Sequence, residues 1–180
     1  MTVEAPAPPP PLIVVMGVSG CGKSTIGAAL ADKLGIHFID GDRLHPQTNV
    51  QKMSHGIALN DSDRLPWLAD IGRTLRDYRD SGLVLACSAL KRIYRDAIRW
   101  EVPNVIFVHA TGDADLIAQR QSSRDGHFMP ASLLESQLST LQALSPDEIG
   151  FEVDIRDTVT AIVAQISEQL PRIEQLAGER

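Results

Sequence analysis

The apolar run Leu12-Ile13-Val14-Val15-Met16 passes without a break into Gly17-Val18-Ser19-Gly20-Cys21-Gly22-Lys23-Ser24, and a segment of helical periodicity follows. No other feature restricts the fold as much. The glycines let the chain curl so that successive backbone N–H groups point inward, and the helix behind them adds the positive end of its dipole. Together they make a cradle for the phosphates of a nucleotide. Lys23 is expected to reach the β- and γ-phosphates and Ser24 to hold Mg²⁺, with Thr25 the last residue of the nucleotide-binding stretch. The alternative is a glycine turn that joins strand to helix and binds nothing, but strand, motif and helix all coincide here.

Downstream, strand and helix signals alternate. Ile26, Ala29, Leu30 and Leu34 share one helix face before Gly35 ends it, and a short strand over residues 36–39 follows. Helix signals resume at Asp61 to Asp63, with Pro66 tolerable in the first turn and Trp67, Ile71, Leu75 and Tyr78 on one stripe. Residues 83–87 are apolar throughout, as in a strand covered on both faces, and Ser88 is placed to cap a helix that buries Leu90, Ile93, Tyr94, Ala97 and Ile98. A fourth strand over residues 105–109, a helix carrying Leu116 and Ile117, and a loop over 122–130 come next. A helix starting at Pro130, an edge strand in which Phe151, Val153 and Ile155 alternate with Glu152 and Asp154, and a last helix built on Val159, Ile162, Val163 and Ile166 complete the order. Strands alternating with helices call for an α/β fold, a five-stranded parallel sheet covered by helices on both faces.

A chain of 180 residues fits one domain, here expected over residues 12–180. Residues 1–11 hold Pro6, Pro8, Pro9, Pro10 and Pro11 and read as a disordered tail. A net charge of −6 argues against nucleic acid or an anionic membrane as partner. No apolar stretch reaches the roughly 18 residues of a membrane span and no signal-like leader is visible, so a cytoplasmic location is expected. Cys21 and Cys87 have neither zinc-ligand nor disulfide-framework spacing and read as free thiols.

Ligands of parallel sheets bind beyond the carboxyl ends of the strands. Asp40-Gly41-Asp42 begins where the second strand stops. In an extended segment both carboxylates would face one side, one near the Mg²⁺ water shell and the other accepting a hydroxyl proton; alternatively both cap a turn. His45 and Asn49, in a polar stretch after them, are candidates for the wall of an acceptor site. Lys91 and Arg95 lie four apart on the helix after the third strand, either as a solvated basic face or to capture an anionic acceptor. Arg120 and Arg124 precede Asp125-Gly126-His127-Phe128-Met129-Pro130, which reads as a hinged lid over about residues 120–130 that would bring an arginine to the transferring phosphoryl group.

The ordered series of the phosphate loop, Asp40-Gly41-Asp42, His45-Pro46, Asn49, Lys52-Met53, Leu59-Asn60-Asp61, Asp63-Arg64, Pro66-Trp67-Leu68, Cys87-Ser88-Ala89-Leu90-Lys91, Tyr94-Arg95-Asp96 and Gly126-His127-Phe128 resembles the gluconokinases from Leu12 onward. The resemblance implies a P-loop fold like that of nucleoside monophosphate kinases, a homodimer, and transfer of the ATP γ-phosphoryl group to the 6-hydroxyl of D-gluconate. A pocket for a polyhydroxy carboxylate needs cations at one end and hydrogen-bonding groups along the rest. Lys91, Arg95 and Arg64 would supply the first and His45, Asn49, Ser88 and His127 the second, with Asp42, or failing it Asp40, as base and Ser24 and Asp40 organising Mg²⁺. The rivals are a shikimate or adenylylsulfate kinase of the same architecture and a nucleotide-dependent switch; against a GTPase stands the absence of an N-K-x-D signature.

Overall fold

A computed structural model of the chain describes residues 9–123 and 131–178. In chain order the elements are β1 (Leu12–Met16), α1 (Lys23–Leu34), β2 (His37–Asp40), a 3₁₀ turn (Gly41–Leu44), α2 (Gln47–Ser54), α3 (Asp61–Asp77), β3 (Leu83–Ala86), α4 (Arg92–Glu101), β4 (Ile106–Thr111), α5 (Ala114–Ser122), α6 (Ala131–Thr140), β5 (Gly150–Asp154) and α7 (Val159–Gly178). All strand pairs are parallel, in the order β2-β3-β1-β4-β5, so β5 stands at an edge as its polar alternation requires.

Two cores follow from the two-residue period of β1. Ile13 and Val15 pack on one face with Ile26 and Leu30 of α1 and Ile162 and Ile166 of α7. Val14 and Met16 pack on the other with Trp67, Ile71 and Leu75 of α3 and Tyr94 and Ile98 of α4. The helices that leave neighbouring strands β1 and β3, α1 and α4, therefore lie on opposite faces, and a crevice opens between the carboxyl ends of those strands. Gly17 N–H donates to Ser88 O at 3.2 Å across it.

Several boundaries differ from the sequence reading. β2 and β4 each start one residue later than expected, and β3 ends at Ala86. α4 is capped by Lys91 and not by Ser88, because Ala89 takes a positive φ of 43° and turns the chain away from a helical course. Ile93, expected inside, is exposed, while Arg95 takes a fully buried place on that helix. Pro66 lies a turn deeper in α3 than expected, so it has no N–H to give the Ser62 carbonyl. Asn60 starts that helix through a reciprocal capping box with Asp63, an arrangement that contributes about 1 kcal/mol. Among the described residues no helix is long and apolar enough to cross a membrane. Arg124, His127 and most of the expected lid lie outside the described residues, as do residues 1–8 of the expected tail.

Candidate active site

The phosphate loop joins β1 to α1, and Gly17, Gly20 and Gly22 all carry positive φ, which bends it back over the amino end of α1. Lys23 curls across the loop and its Nζ donates to Val18 O at 3.0 Å. Beyond it lies a cavity of about 200 Å³ lined by Ser19, Gly22, Lys23, Ser24, Asp40, Asp42 and Ala86. Lys23, Ser24 and both aspartates are thus brought together, but by a different backbone from the extended segment expected. Asp40 closes β2 and caps a 3₁₀ turn, and Asp42 sits inside that turn with its N–H donating to Asp40 Oδ1 at 3.1 Å. The other oxygen of Asp40, Oδ2, accepts from Ser24 Oγ at 2.9 Å. A hydroxyl and a carboxylate meeting beside a phosphate cradle are the hard oxygen donors that Mg²⁺ prefers, so the residues present fit that ion.

The turn that carries Asp42 is held from two sides. A Cβ on Gly41 would stand 2.6 Å from Ala86 O, so only glycine lets the turn close on β3. Trp67 Nε1 donates to Gly41 O at 2.9 Å from the buried face of α3. His45 stacks on Trp67 with ring centroids 3.9 Å apart. Burial pushes its imidazole below the ordinary histidine range, an effect that Asp42 opposes and Arg64 reinforces. Asn49 is buried and its Nδ2 donates to Asp63 O at 2.9 Å. His45 and Asn49 line neither this cavity nor the next; contrary to expectation, they brace α2 and the turn against α3.

A second cavity of about 610 Å³, within the range of small-molecule sites, is lined by residues that include Asn60, Asp61, Arg64, Ser88, Lys91, Tyr94 and Gln137. Lys91 is paired: its Nζ donates to Asp61 at 2.9 Å, and Asp61 also accepts from the Tyr94 hydroxyl. Those two bonds, Tyr94's first, hold the Asp61 carboxyl below the usual carboxylate range. Arg64 makes no salt bridge to a described carboxylate, and its guanidinium lies 5.9 Å from the Tyr94 ring centroid.

Arg95 is not there. It is fully buried, with Nε and Nη2 bound to Glu148 at 2.7 and 2.9 Å and Nη1 donating to Ala89 O and Leu90 O, so packing has removed it from any substrate and made it the brace of the Ser88–Lys91 loop. Arg120, expected on the transferring phosphoryl group, is also elsewhere. Its Nη2 donates to Ile155 O at 2.6 Å, and it lines a third cavity, of about 390 Å³, with Cys21, Thr25, Asp157 and Thr158 on the other side of the loop. Asp61 and Tyr94 entered the sequence reading without a site role, and Asp157, Thr158 and the two glutamines that reach the loop, Gln121 and Gln137, escaped it. The two glutamines read as ordinary surface positions on amphipathic helices, and no spacing rule marks any of these residues.

The family model for shikimate kinase matches residues 19–145. The gluconokinase of Gluconobacter oxydans is 51% identical over 141 residues, which are 77% of this chain and 79% of that protein. The chain belongs to the gluconokinase family. It is therefore an enzyme, a P-loop kinase that uses a nucleotide. A crystal structure of a gluconokinase from Sinorhizobium meliloti superposes with a TM-score of 0.81 at 46% identity, covering 94% of this chain and 95% of that one. The APS kinase of Mycobacterium tuberculosis, solved with AMPPNP and APS, covers 91% of this chain and 99% of its own with a TM-score of 0.66, but at 17% identity it shares the fold alone. The fold is thus shared with other small-molecule kinases, which accounts for the shikimate kinase match.

Proposed function

We propose that this gluconokinase-family protein transfers the γ-phosphoryl group of ATP to the 6-hydroxyl of D-gluconate. The observation that carries the reading is the hydrogen bond by which Ser19, lining a phosphate cavity with Lys23, Ser24, Asp40 and Asp42, reaches Gln137, lining a larger polar cavity that offers Arg64. Arg95 is unavailable and Lys91 shares its charge with Asp61, so Arg64 is the cation to receive the gluconate carboxylate. Ser88, Asn60 and Tyr94 supply partners for hydroxyls along the chain of the acid. The cavity beyond the loop, with Arg120, Asp157 and Thr158, suits the nucleoside end of ATP.

Between the two aspartates the hydrogen bonds favour Asp42 as base. Asp40 has one oxygen accepting from Asp42 N–H and the other from Ser24 Oγ, whereas the Asp42 carboxylate is exposed to the cavity. Asp42 takes the proton of the 6-hydroxyl while its oxygen bonds to the γ-phosphorus; the bond from that phosphorus to the β–γ bridging oxygen breaks and ADP leaves. Lys23 and the loop N–H groups stabilise the charge spread over the transferring oxygens. Ser24 and Asp40 would hold Mg²⁺, which would offset the negative charge of the phosphates. A homodimer rests on the resemblance to the family, and a cytoplasmic location on the lack of a membrane-length apolar stretch. The test is ADP release with magnesium ATP and, in turn, gluconate, shikimate, adenylylsulfate or water as acceptor. Release that depends on gluconate is expected; release that ignores it, or follows another acceptor, overturns the proposal.

A further inference from the structure

One residue of the phosphate loop is clamped at both its backbone groups by glutamine side chains. Ser19 N–H donates to Gln137 Oε1 at 2.7 Å, and Ser19 O accepts from Gln121 Nε2 at 2.7 Å. The two glutamines come from the consecutive helices α5 and α6. Gln121 fits tightly there, since a Cβ on Gly20 would stand 2.3 Å from its Cγ. Gln137 differs in one respect: besides reaching Ser19, which lines the phosphate cavity, it lines the acceptor cavity with Arg64, Ser88 and Tyr94. Its carboxamide therefore stands at the boundary between the two cavities. With its oxygen committed to Ser19 N–H, what it has left to offer an acceptor is its pair of N–H donors.

We infer that Gln137 is a specificity-determining residue whose amide donates to the acceptor hydroxyl next to the reacting one, on C5 if the acceptor is gluconate. The inference rests on the proposed transfer to gluconate and adds to it the group that reads the polyol beside the phosphate. The bond from Ser19 N–H turns the carboxamide oxygen toward the loop and leaves the NH₂ end to meet the acceptor. A hydroxyl that accepts from Gln137 has its own proton directed elsewhere, which sets the register of the acid along the cavity and with it the position of the 6-hydroxyl near Asp42. Acceptors with an apolar group at that point leave the amide without a partner in a partly enclosed wall.

The experiment is a cycle between residue and substrate. Wild type and Gln137→Met are compared on gluconate and on 5-deoxygluconate, with binding of ADP to each measured as a check on the loop. For wild type, removing the 5-hydroxyl is expected to lower kcat/KM by about 10- to 100-fold, the size of one lost hydrogen bond at a polar site. For Gln137→Met the two acceptors should be used within about threefold of each other, because the donor that tells them apart is gone. Gln137→Ala, which also removes the donors and leaves no acceptor in their place, should behave in the same way and stands in if the methionine variant fails to fold. An equal penalty for the deoxy acid in wild type and in either variant overturns the inference and leaves the gluconate reading intact. A wild type that consumes ATP without phosphorylating gluconate overturns that reading first.

Discussion

At the scale of single residues, the site is decided by which polar atoms are already engaged. Asp40 has both oxygens bound, whereas among the described residues none bonds the Asp42 carboxylate, though the two are two positions apart. Asp42→Asn is expected to lower kcat by about 10²-fold or more, the range for loss of a general base, while ADP affinity measured by titration calorimetry stays near wild type. Near-normal turnover in that variant would remove Asp42 from the role. The same reasoning separates the cations. Arg64→Ala should raise the KM for gluconate by about 10- to 100-fold with a smaller change in kcat, as expected when a charge-assisted bond to the ground-state carboxylate is lost. Lys91→Ala should weaken gluconate less, since that lysine already answers to Asp61. A KM in the Arg64 variant equal to that of wild type would assign the carboxylate elsewhere.

At the scale of elements, the 3₁₀ turn after β2 shows how close packing serves chemistry. Gly41 lies against the backbone of β3, and the indole of Trp67 ties the same residue to α3. Gly41→Ala forces the turn away from Ala86 O, and a displacement of even about 1 Å at Asp42 is enough for a 10²-fold loss of kcat. Kinetics would show that loss with ADP binding retained, and turnover within about threefold of wild type would mean that the turn adjusts without moving Asp42. The loop after β3 is held in a comparable way by Arg95, whose donors on Ala89 O and Leu90 O support the one positive φ among the described non-glycine residues. α4 owes its late start to that loop. Its periodicity alone suggested a start at Ser88, and local spacing carries no information about a turn imposed from outside the helix.

At the scale of the whole molecule, a buried ion cluster joins distant parts of the chain. Glu148, just before β5, accepts from Arg95 and Arg99 of α4 and from Ser145 N–H. Burial pushes its carboxyl up, but those bonds outweigh burial and bring it down to about 2 from the ordinary 4.5. A carboxyl depressed in the folded state contributes stability that is present in full above pH 4.5 and is lost as the pH falls toward about 2. Glu148→Gln leaves Arg95 buried with no countercharge from that side chain and should cost about 3 to 5 kcal/mol in urea unfolding at pH 7. The gap between wild type and variant should narrow as the pH drops below 4.5; a gap that stays constant down to pH 3 would show that ionisation of Glu148 contributes nothing.

The fold and the phosphate loop are legible in the sequence itself. Strand, glycine turn and helix are governed by local spacing, and the apolar runs that alternate with amphipathic stretches admit a parallel sheet and little else. Asp40, Asp42, Lys23 and Ser24 were legible with them, because each directly follows or lies within such an element. What the sequence could not decide is which charges are free. Arg95 and Glu148 are 53 residues apart, Lys91 and Asp61 30, and Ser19 and Gln137 118. Only tertiary packing brings such partners within hydrogen-bond reach, and burial then takes one arginine out of reach of any ligand while leaving another, three residues into its helix, lining the second cavity.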